Sequence, residues 1–362
     1  MKKRIEWIDL ARAFGMFLII FGHALPDTNG KLAILVYTVN VPIFFVLSGY
    51  LYHEQPFRIQ VKKLFYNLML PYFATGFLML LISVLANNIN LSFGIKSMGT
   101  FSEVISAIVW GIGTRGRLAI FNIIVPPIGA LWFLLALFWA DIIFNFLISR
   151  LKSCRYFIFI MSIISILIGL GSFISATLFA VLPWSINAGL IGITFMWYGY
   201  CLKKWNIFKL KKLQKIMLLL LLVILFSLTT IFRVHFWFNF AIADNKISHD
   251  IIALISGVAG STLMIIICYY LDRTNLSINK YISWFGRNSL IVLCVDCMYG
   301  NVISFNNIII KALPSVRGIA FVESVLFVII LSIIAILLIE RIPLLRSFYF
   351  NRRYPFKWQI NS

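Results

Sequence analysis

Long apolar runs separated by short polar and basic stretches dominate the pattern of this chain. A run of about eighteen or more residues with almost no charge is long enough to cross a hydrocarbon core of about 30 Å as a helix. Ten such spans can be read, near residues 6–25, 32–52, 64–87, 125–149, 156–174, 183–202, 213–232, 249–271, 282–303 and 318–340. The pattern predicts an all-α polytopic integral membrane protein with about ten transmembrane helices.

The distribution of basic residues predicts the orientation of these spans. An even number of spans places both termini on one side of the membrane. The ends and loops on that side hold 23 of the 32 Lys and Arg residues, and such an excess is typical of the cytoplasmic side. We therefore expect both termini in the cytoplasm. The spans form one predicted transmembrane domain, residues 1–340, and residues 341–362 form a basic, aromatic cytoplasmic tail.

The composition excludes several other classes of protein. Of the 362 residues, 61% are hydrophobic and 12% are charged, which is far from the balance of a soluble domain. The net charge of +20 lies in short basic clusters between apolar runs, so membrane topology explains it and no nucleic-acid partner is expected. The five cysteines are odd in number and mostly apolar in context, which predicts no disulfide framework. No cluster of histidine, cysteine and carboxylate has metal-ligand spacing, so no metal is expected.

Two ionisable residues interrupt the first span. Arg12 and His23 are eleven residues apart, and eleven steps of about 100° make three turns plus about 20°. They therefore share one helical face, about 16 Å apart in height. Such residues usually face a bundle interior or an aqueous cavity, which indicates a functional site. The alternative is that Arg12 snorkels to the cytoplasmic surface and His23 only hydrogen-bonds a neighbouring helix.

The chemistry of this pair suits acid–base catalysis on an anionic substrate. A neutral imidazole can accept a proton near neutral pH, and an arginine keeps its charge and can hold a phosphate or carboxylate. In the second span, Pro42 predicts a kink and Ser48-Gly49 allows close approach of a backbone or a ligand. A basic cluster, Arg58, Lys62 and Lys63, follows on the cytoplasmic side.

Five segments carry a resemblance to a known family: "IDLARAFGMFLIIFGHA", "VPIFFVLSGYL", "KKLFYNLMLPYF", "GALWFLLALF" and "YISWFGRNSLIVL". They resemble successive motifs of the membrane-bound acyltransferase-3 family, and the opening is similar to its fucose 4-O-acetylase-like branch. The resemblance covers nearly the whole chain. It implies an enzyme of the bacterial cytoplasmic (inner) membrane that transfers an acyl group, usually acetyl from acetyl-CoA, to a hydroxyl of a surface or lipid-linked carbohydrate.

The resemblance also implies roles for residues that match its motifs. The matching positions are Arg12 and His23 for the functional pair, Ser48, Gly49 and Tyr50 for the second-helix motif, Lys62 and Lys63 for the basic positions, and Trp132 for the aromatic motif. Two positions depart from the pattern, because Asn40 and Asp296 stand where many members have histidine. We expect these two residues and Trp132 to contact the acceptor.

A mechanism follows from these roles. His23 would deprotonate the acceptor hydroxyl, and Tyr50, Ser48 or Asn40 would stabilise the oxyanion. Asp141 and Asp296 are the intramembrane acids available to orient His23. Donor phosphates would be bound by Arg58, Lys62 and Lys63, with Arg12 as a further donor contact. The alternative for Arg58, Lys62 and Lys63 is that they are topology signals alone. A covalent acetyl-enzyme at His23 or Ser48 is an open alternative to direct transfer.

Two other functions fit the same pattern. A transporter or flippase for a lipid-linked sugar would also place an arginine and a histidine on a path through the bundle. A non-enzymatic partner in polysaccharide assembly would use the polar residues for structure alone. Under each reading the expected partners are a carbohydrate and membrane lipids.

Overall fold

Helices make up nearly all of the regular structure in the computed structural model of the protein. The structure describes residues 5–28, 30–89, 95–118, 123–179, 182–234, 247–274, 276–303, 317–356 and 359. Within these ranges, eight helical segments are long and apolar enough to cross a membrane. The protein is therefore an all-α polytopic membrane protein, as the sequence predicts.

The eight segments are built from ten helices and a π-turn. The first three helices are α1 (Glu6–Ala24), α2 (Lys31–Asn40) and α3 (Pro42–Leu51), of which α2 and α3 form one span. Helix α4 (Phe57–Leu64) runs through the π-turn Phe65–Met69 into α5 (Leu70–Ile89). The remaining spans lie in α7 (Trp132–Leu151), α8 (Phe157–Phe179), α10 (Lys212–Ile231), α11 (Ile247–Asp272) and α14 (Arg317–Arg341).

The other two predicted spans fall on helices of a different kind. The stretch 183–202 forms α9 (Ile186–Trp205), which is long enough to cross a membrane but less apolar than the eight segments. The stretch 282–303 contains two helices, the end of the amphipathic α12 (Ser277–Arg287) and the shorter apolar α13 (Ser289–Asn301). They meet at Asn288, whose backbone leaves the helical conformation.

A proline explains the break between α2 and α3. Pro42 has no backbone N–H and therefore cannot bond the carbonyl one turn earlier, so α2 ends at Asn40. Pro42 takes the first position of α3, where its missing donor has no consequence. The helix is therefore interrupted at the proline, in the middle of the span.

Glycines let α9 pack closely on α3 at the centre of the bundle. A side chain at Gly49 of α3 would overlap the carbonyl oxygen of Met196, and one at Gly199 of α9 would overlap that of Val46. Small residues at such interfaces allow two backbones to approach, and the resulting packing stabilises helix pairs in a membrane. Helix α9 also packs on α7 and α8.

Contacts between helix ends define two ends of the bundle. At one end, which we call the basic end, Trp7 of α1 packs edge-on against Tyr50 of α3 and Tyr269 of α11. There also, the ammonium of Lys152 after α7 lies 2.7 Å from Glu54 after α3. The far ends of α1, α13 and α14 lie at the other end, which we call the opposite end.

The opposite end carries several short elements. Helix α6 (Phe101–Trp110) begins with a capping box and precedes the hairpin β1 (Gly116–Arg117) and β2 (Ile124–Val125). The hydroxyl of Ser185, before α9, donates to the carbonyl of Gly111 after α6, at 2.7 Å. A short helix α15 (Pro343–Tyr349) follows α14 at the basic end.

Candidate active site

The face of α1 that carries Arg12 and His23 points into the bundle. Their side chains are 32% and 46% exposed, although α1 packs against α2, α3, α11, α12, α13 and α14. The lipid-facing side lies elsewhere, because the exposed Phe17 is about 140° away from Arg12 around the helix. The exposure of the two polar side chains is therefore exposure to space between helices.

Close helix contacts flank this face on both sides. Gly15 and Gly22, about 60° and 80° to one side, pack against the side chains of α2 and α3. On the other side, Gly286 of α12 packs directly on the backbone of α1 at Asp9 and Ala13. Arg12 and His23 thus lie in a crevice between α2–α3 and α12–α13, which we call the α1 crevice.

Asp296 forms the closest polar contact of His23. Its carboxylate Oδ2 lies 2.8 Å from Nδ1 of the imidazole, and Asp296 itself is buried. A carboxylate can only accept here, so Nδ1 carries the proton and donates it. The other nitrogen, Nε2, then has its lone pair available, which is the arrangement that a general base requires.

Tyr37 also lies at this end of the crevice, and the sequence did not indicate it as a site residue. Its hydroxyl donates to the carbonyl oxygen of Gly22, the residue before His23, at 2.9 Å. Tyr37 also lies near Asp296. A tyrosine in an apolar helix carries no sequence signal of such a role, because aromatic residues are common throughout this chain.

Arg12 has an acidic neighbour on its own helix. Its guanidinium lies 3.6 Å from the carboxylate of Asp9, one turn closer to the basic end. Asp9 is buried under α12. The pair keeps the charge of Arg12 balanced inside the bundle, and the part of the guanidinium that remains exposed can meet an anion.

A second carboxylate lies in the half of the bundle nearer the basic end. The hydroxyl of Ser48 donates to Asp141, at 3.3 Å from Oδ2 and 3.4 Å from Oδ1. Lys63 is near enough to attract the charge of Asp141. The structure thus pairs the two candidate acids with different residues, Asp296 with His23 and Asp141 with Ser48.

Further polar contacts continue from Ser48 towards the basic end. The hydroxyl of Tyr52 donates to the side-chain oxygen of Asn145 at 2.7 Å, and the amide of Asn145 donates to the carbonyl of Gln55 at 3.0 Å. A cavity of about 650 Å³ opens there, lined by Glu54, Gln55, Pro56, Phe57, Asn145, Phe146, Ser149 and Arg150. None of these lining residues was a sequence candidate.

The other predicted site residues lie at several levels. Tyr50 packs on Trp7 with ring centroids 5.2 Å apart, and Trp7 is about 24 Å below His23 along α1. Asn40 ends α2, and its side-chain oxygen is buried without a hydrogen-bond partner among the described residues. Trp132 is buried at the start of α7. Arg58, Lys62 and Lys63 are exposed along α4 at the basic end.

No metal centre can be identified within the described ranges, where no three His, Cys, Asp or Glu side chains stand close enough together to hold an ion. The cysteines that the structure describes are free thiols. Cys297 donates to the carbonyl of Ile128 at 3.4 Å. The polar side chains of the site are an imidazole, carboxylates and basic groups.

These features define a polytopic membrane protein with an oriented histidine and an arginine in a crevice between its helices. The sequence model of the acyltransferase-3 family, described as an acyltransferase domain, matches residues 5–341. The chain belongs to this family and is a multi-pass membrane acyltransferase. Neither the comparison with curated proteins nor that with solved structures gives a match.

Proposed function

We propose that the protein transfers an acetyl group from acetyl-CoA to a hydroxyl of a surface or lipid-linked carbohydrate, with His23 as the general base. The contact of Nδ1 with the buried Asp296 carries this proposal, because it leaves Nε2 free to take a proton. The carbohydrate acceptor and the acetyl donor come from the motif resemblance, in which the opening segment is similar to the fucose 4-O-acetylase-like branch.

The proposed reaction is a direct transfer. The acceptor oxygen attacks the thioester carbonyl while its proton passes to Nε2 of His23. The carbon–sulfur bond then breaks, and the leaving thiolate takes the proton back from the imidazolium. The products are the acetyl ester and free CoA thiol, and His23 returns to its starting state. Asp296 stabilises the transient positive charge on the ring.

The donor enters from the basic end in this proposal. Its nucleotide is too large and too charged to enter the bundle, so its phosphates bind exposed cations. Arg58, Lys62 and Lys63 are exposed there, and the cavity lined by Phe57 and Arg150 adjoins Arg58. The pantetheine arm then runs past Arg12 to His23, a distance of about 16 Å along α1. We place the basic end in the cytoplasm of a bacterial cell.

The test uses purified protein in liposomes with radiolabelled acetyl-CoA and candidate glycans. We expect His23→Ala to lower kcat by about 10²–10⁴-fold, the usual contribution of a general base. Acetyl transfer by this variant at the wild-type rate would exclude His23 as the base. If the wild-type protein acetylates no acceptor but moves sugar across the membrane, the transporter alternative is favoured.

Arg12 has a separate expected effect. Arg12→Ala should raise the KM for acetyl-CoA at least tenfold with a smaller change in the acceptor KM, since the guanidinium contacts the donor. Phe17→Ala, on the lipid-facing side of the same helix, is the matched control and should change neither constant. An unchanged donor KM in Arg12→Ala would remove this role. Mass spectrometry of surface glycans with and without the gene identifies the acceptor.

A further inference from the structure

The α1 crevice is open at two levels and closed between them. Arg12 and His23 are both substantially exposed. Met16 and Ile19 lie between them on the same face, about 40° and 20° from Arg12 around the helix. Their exposed fractions are only 1% and 4%. The face is thus polar and accessible at each end and tightly packed in its middle.

Neighbouring helices close this middle segment. Met16 and Ile19 belong to one apolar core together with Ile43 of α3 and Val292 of α13, which come from the two walls of the crevice. We call Met16 and Ile19 the constriction. An apolar constriction of this kind keeps water and ions from running between the two open ends.

The constriction stands where the proposed donor must pass. The phosphates of acetyl-CoA are held at the basic end, and the acyl carbon has to reach Nε2 of His23 at the other end of the crevice. Only the narrow, neutral arm of the donor can enter an apolar passage, because charges are expensive in such surroundings. The thioester at its tip therefore has to pass Met16 and Ile19.

We propose that Met16 and Ile19 determine which acyl groups the enzyme transfers, a role that rests on the proposed function. Met16 is the moving part, since an unbranched thioether side chain has three rotatable bonds and adapts to its surroundings. Ile19 is the fixed wall, because a β-branched residue in a helix has one strongly preferred rotamer. Acetyl passes when Met16 turns aside, and longer acyl chains meet the wall of Ile19.

Substitutions at the constriction test this role through acyl selectivity. Met16→Ala should raise kcat/KM for butyryl-CoA relative to acetyl-CoA by about tenfold or more, since each methylene in an apolar site is worth about tenfold or more in discrimination. Met16→Ile keeps the apolar character but removes the flexibility, so acetyl transfer should fall at least tenfold with CoA binding unchanged. Met16→Leu nearly keeps the side-chain volume and reports on folding.

The matched control is again Phe17→Ala, which removes an apolar side chain of the same helix on the lipid-facing side. It should leave the butyryl-to-acetyl ratio within about twofold of wild type. The role is overturned if Met16→Ala leaves this ratio unchanged while Met16→Leu is fully active. It is also overturned if Phe17→Ala shifts the ratio as much as Met16→Ala.

A second experiment needs no enzymatic activity. In a Cys154→Ser background, which removes the exposed native thiol, a charged, membrane-impermeant thiol reagent should label Arg12→Cys from one side and His23→Cys from the other. Met16→Cys should react at least tenfold more slowly from either side. Equally fast labelling of Met16→Cys would overturn the constriction. If wild-type protein transfers no acyl group at all, the proposed function fails, and labelling alone decides whether the crevice is closed.

Discussion

Replacing Asp296 by asparagine tests the His23–Asp296 pair most directly. The contact between Oδ2 and Nδ1 is 2.8 Å long, within the range of a charge-assisted hydrogen bond. Because Asp296 is buried, a water molecule cannot readily take the place of its carboxylate as the hydrogen-bond acceptor for Nδ1. The amide of asparagine can present its N–H₂ to Nδ1, which favours Nδ1 as acceptor and moves the ring proton to Nε2. The proposed base, Nε2, is then blocked.

The size of the effect follows from what is lost. A general base contributes about 10²–10⁴-fold in rate, which is about 3–5 kcal/mol of transition-state stabilisation. Asp296→Asn should therefore lower kcat by an amount close to that of His23→Ala. The donor KM should change little, since the proposed site for the donor phosphates is at the far end of the crevice. Combining the two substitutions should add almost no further loss, because they disable one unit.

The assay is the initial rate of radiolabelled acetyl transfer at saturating donor and acceptor, with the donor KM measured in parallel. Asp141→Asn is the matched comparison, since it neutralises the other carboxylate named as a candidate acid. It should lower kcat by less than tenfold, because Asp141 contacts Ser48. A rate for Asp296→Asn within threefold of wild type, or a larger loss in Asp141→Asn, would refute the assignment of Asp296.

Two further predictions concern stability. Gly286→Ala should lower the thermal stability of the purified protein by the equivalent of about 3 kcal/mol, because its Cβ would overlap the carbonyl oxygen of Asp9 and force α12 away from α1. Gly171→Ala is the control, because nothing lies within 4 Å of the added Cβ, and it should leave the melting temperature unchanged or slightly higher. Equal melting temperatures in the two variants would contradict the close packing of Gly286 on α1. Hydrogen bonds from Thr100 lower the pKa of Glu103 in the folded protein. The capping box of α6 therefore stabilises the fold fully at pH values above the ordinary glutamate pKa. This stabilisation is lost as the pH falls through the lowered pKa of Glu103. Hydrogen exchange of α6 in wild type and Thr100→Ala should show this pH dependence in wild type alone.

Apolar periodicity predicts most of this fold for a physical reason. In a membrane, backbone groups must be satisfied within the segment, so an apolar run has to be a helix. The spans around α1, α7 and α14 follow directly from this constraint. The stretch 282–303 is not one continuous helix, although the pattern predicts a span there. Polar residues near Asn288 interrupt its apolar pattern, and the helix breaks at Asn288 between α12 and α13.

The site is predictable only as far as it lies within one helix. Helical phase places Arg12 and His23 on one face, and the structure confirms that α1 contains both. The partner of His23 lies 273 residues away in sequence, and no local pattern could choose between Asp141 and Asp296. Tyr37 and Asn145 reach their partners only through tertiary packing, which depends on how the glycines of α1 and α9 set the helix spacing.

Asp296 and Asp141 lie on different sides of the constriction. This separation limits which groups can move between the two ends of the bundle during a reaction. Charged groups inside a membrane are costly, so each carboxylate is kept with a partner at its own level, Asp296 with His23 and Asp141 with Ser48. The apolar Met16 and Ile19 between these levels allow no chain of polar groups to connect them along α1. In the proposed reaction, protons taken up at His23 are therefore returned at His23, to the leaving thiolate, and do not run through the bundle. An acyl group carried on a neutral arm is what can cross this layer, so the donor and the acceptor can approach from opposite ends without opening a path for ions.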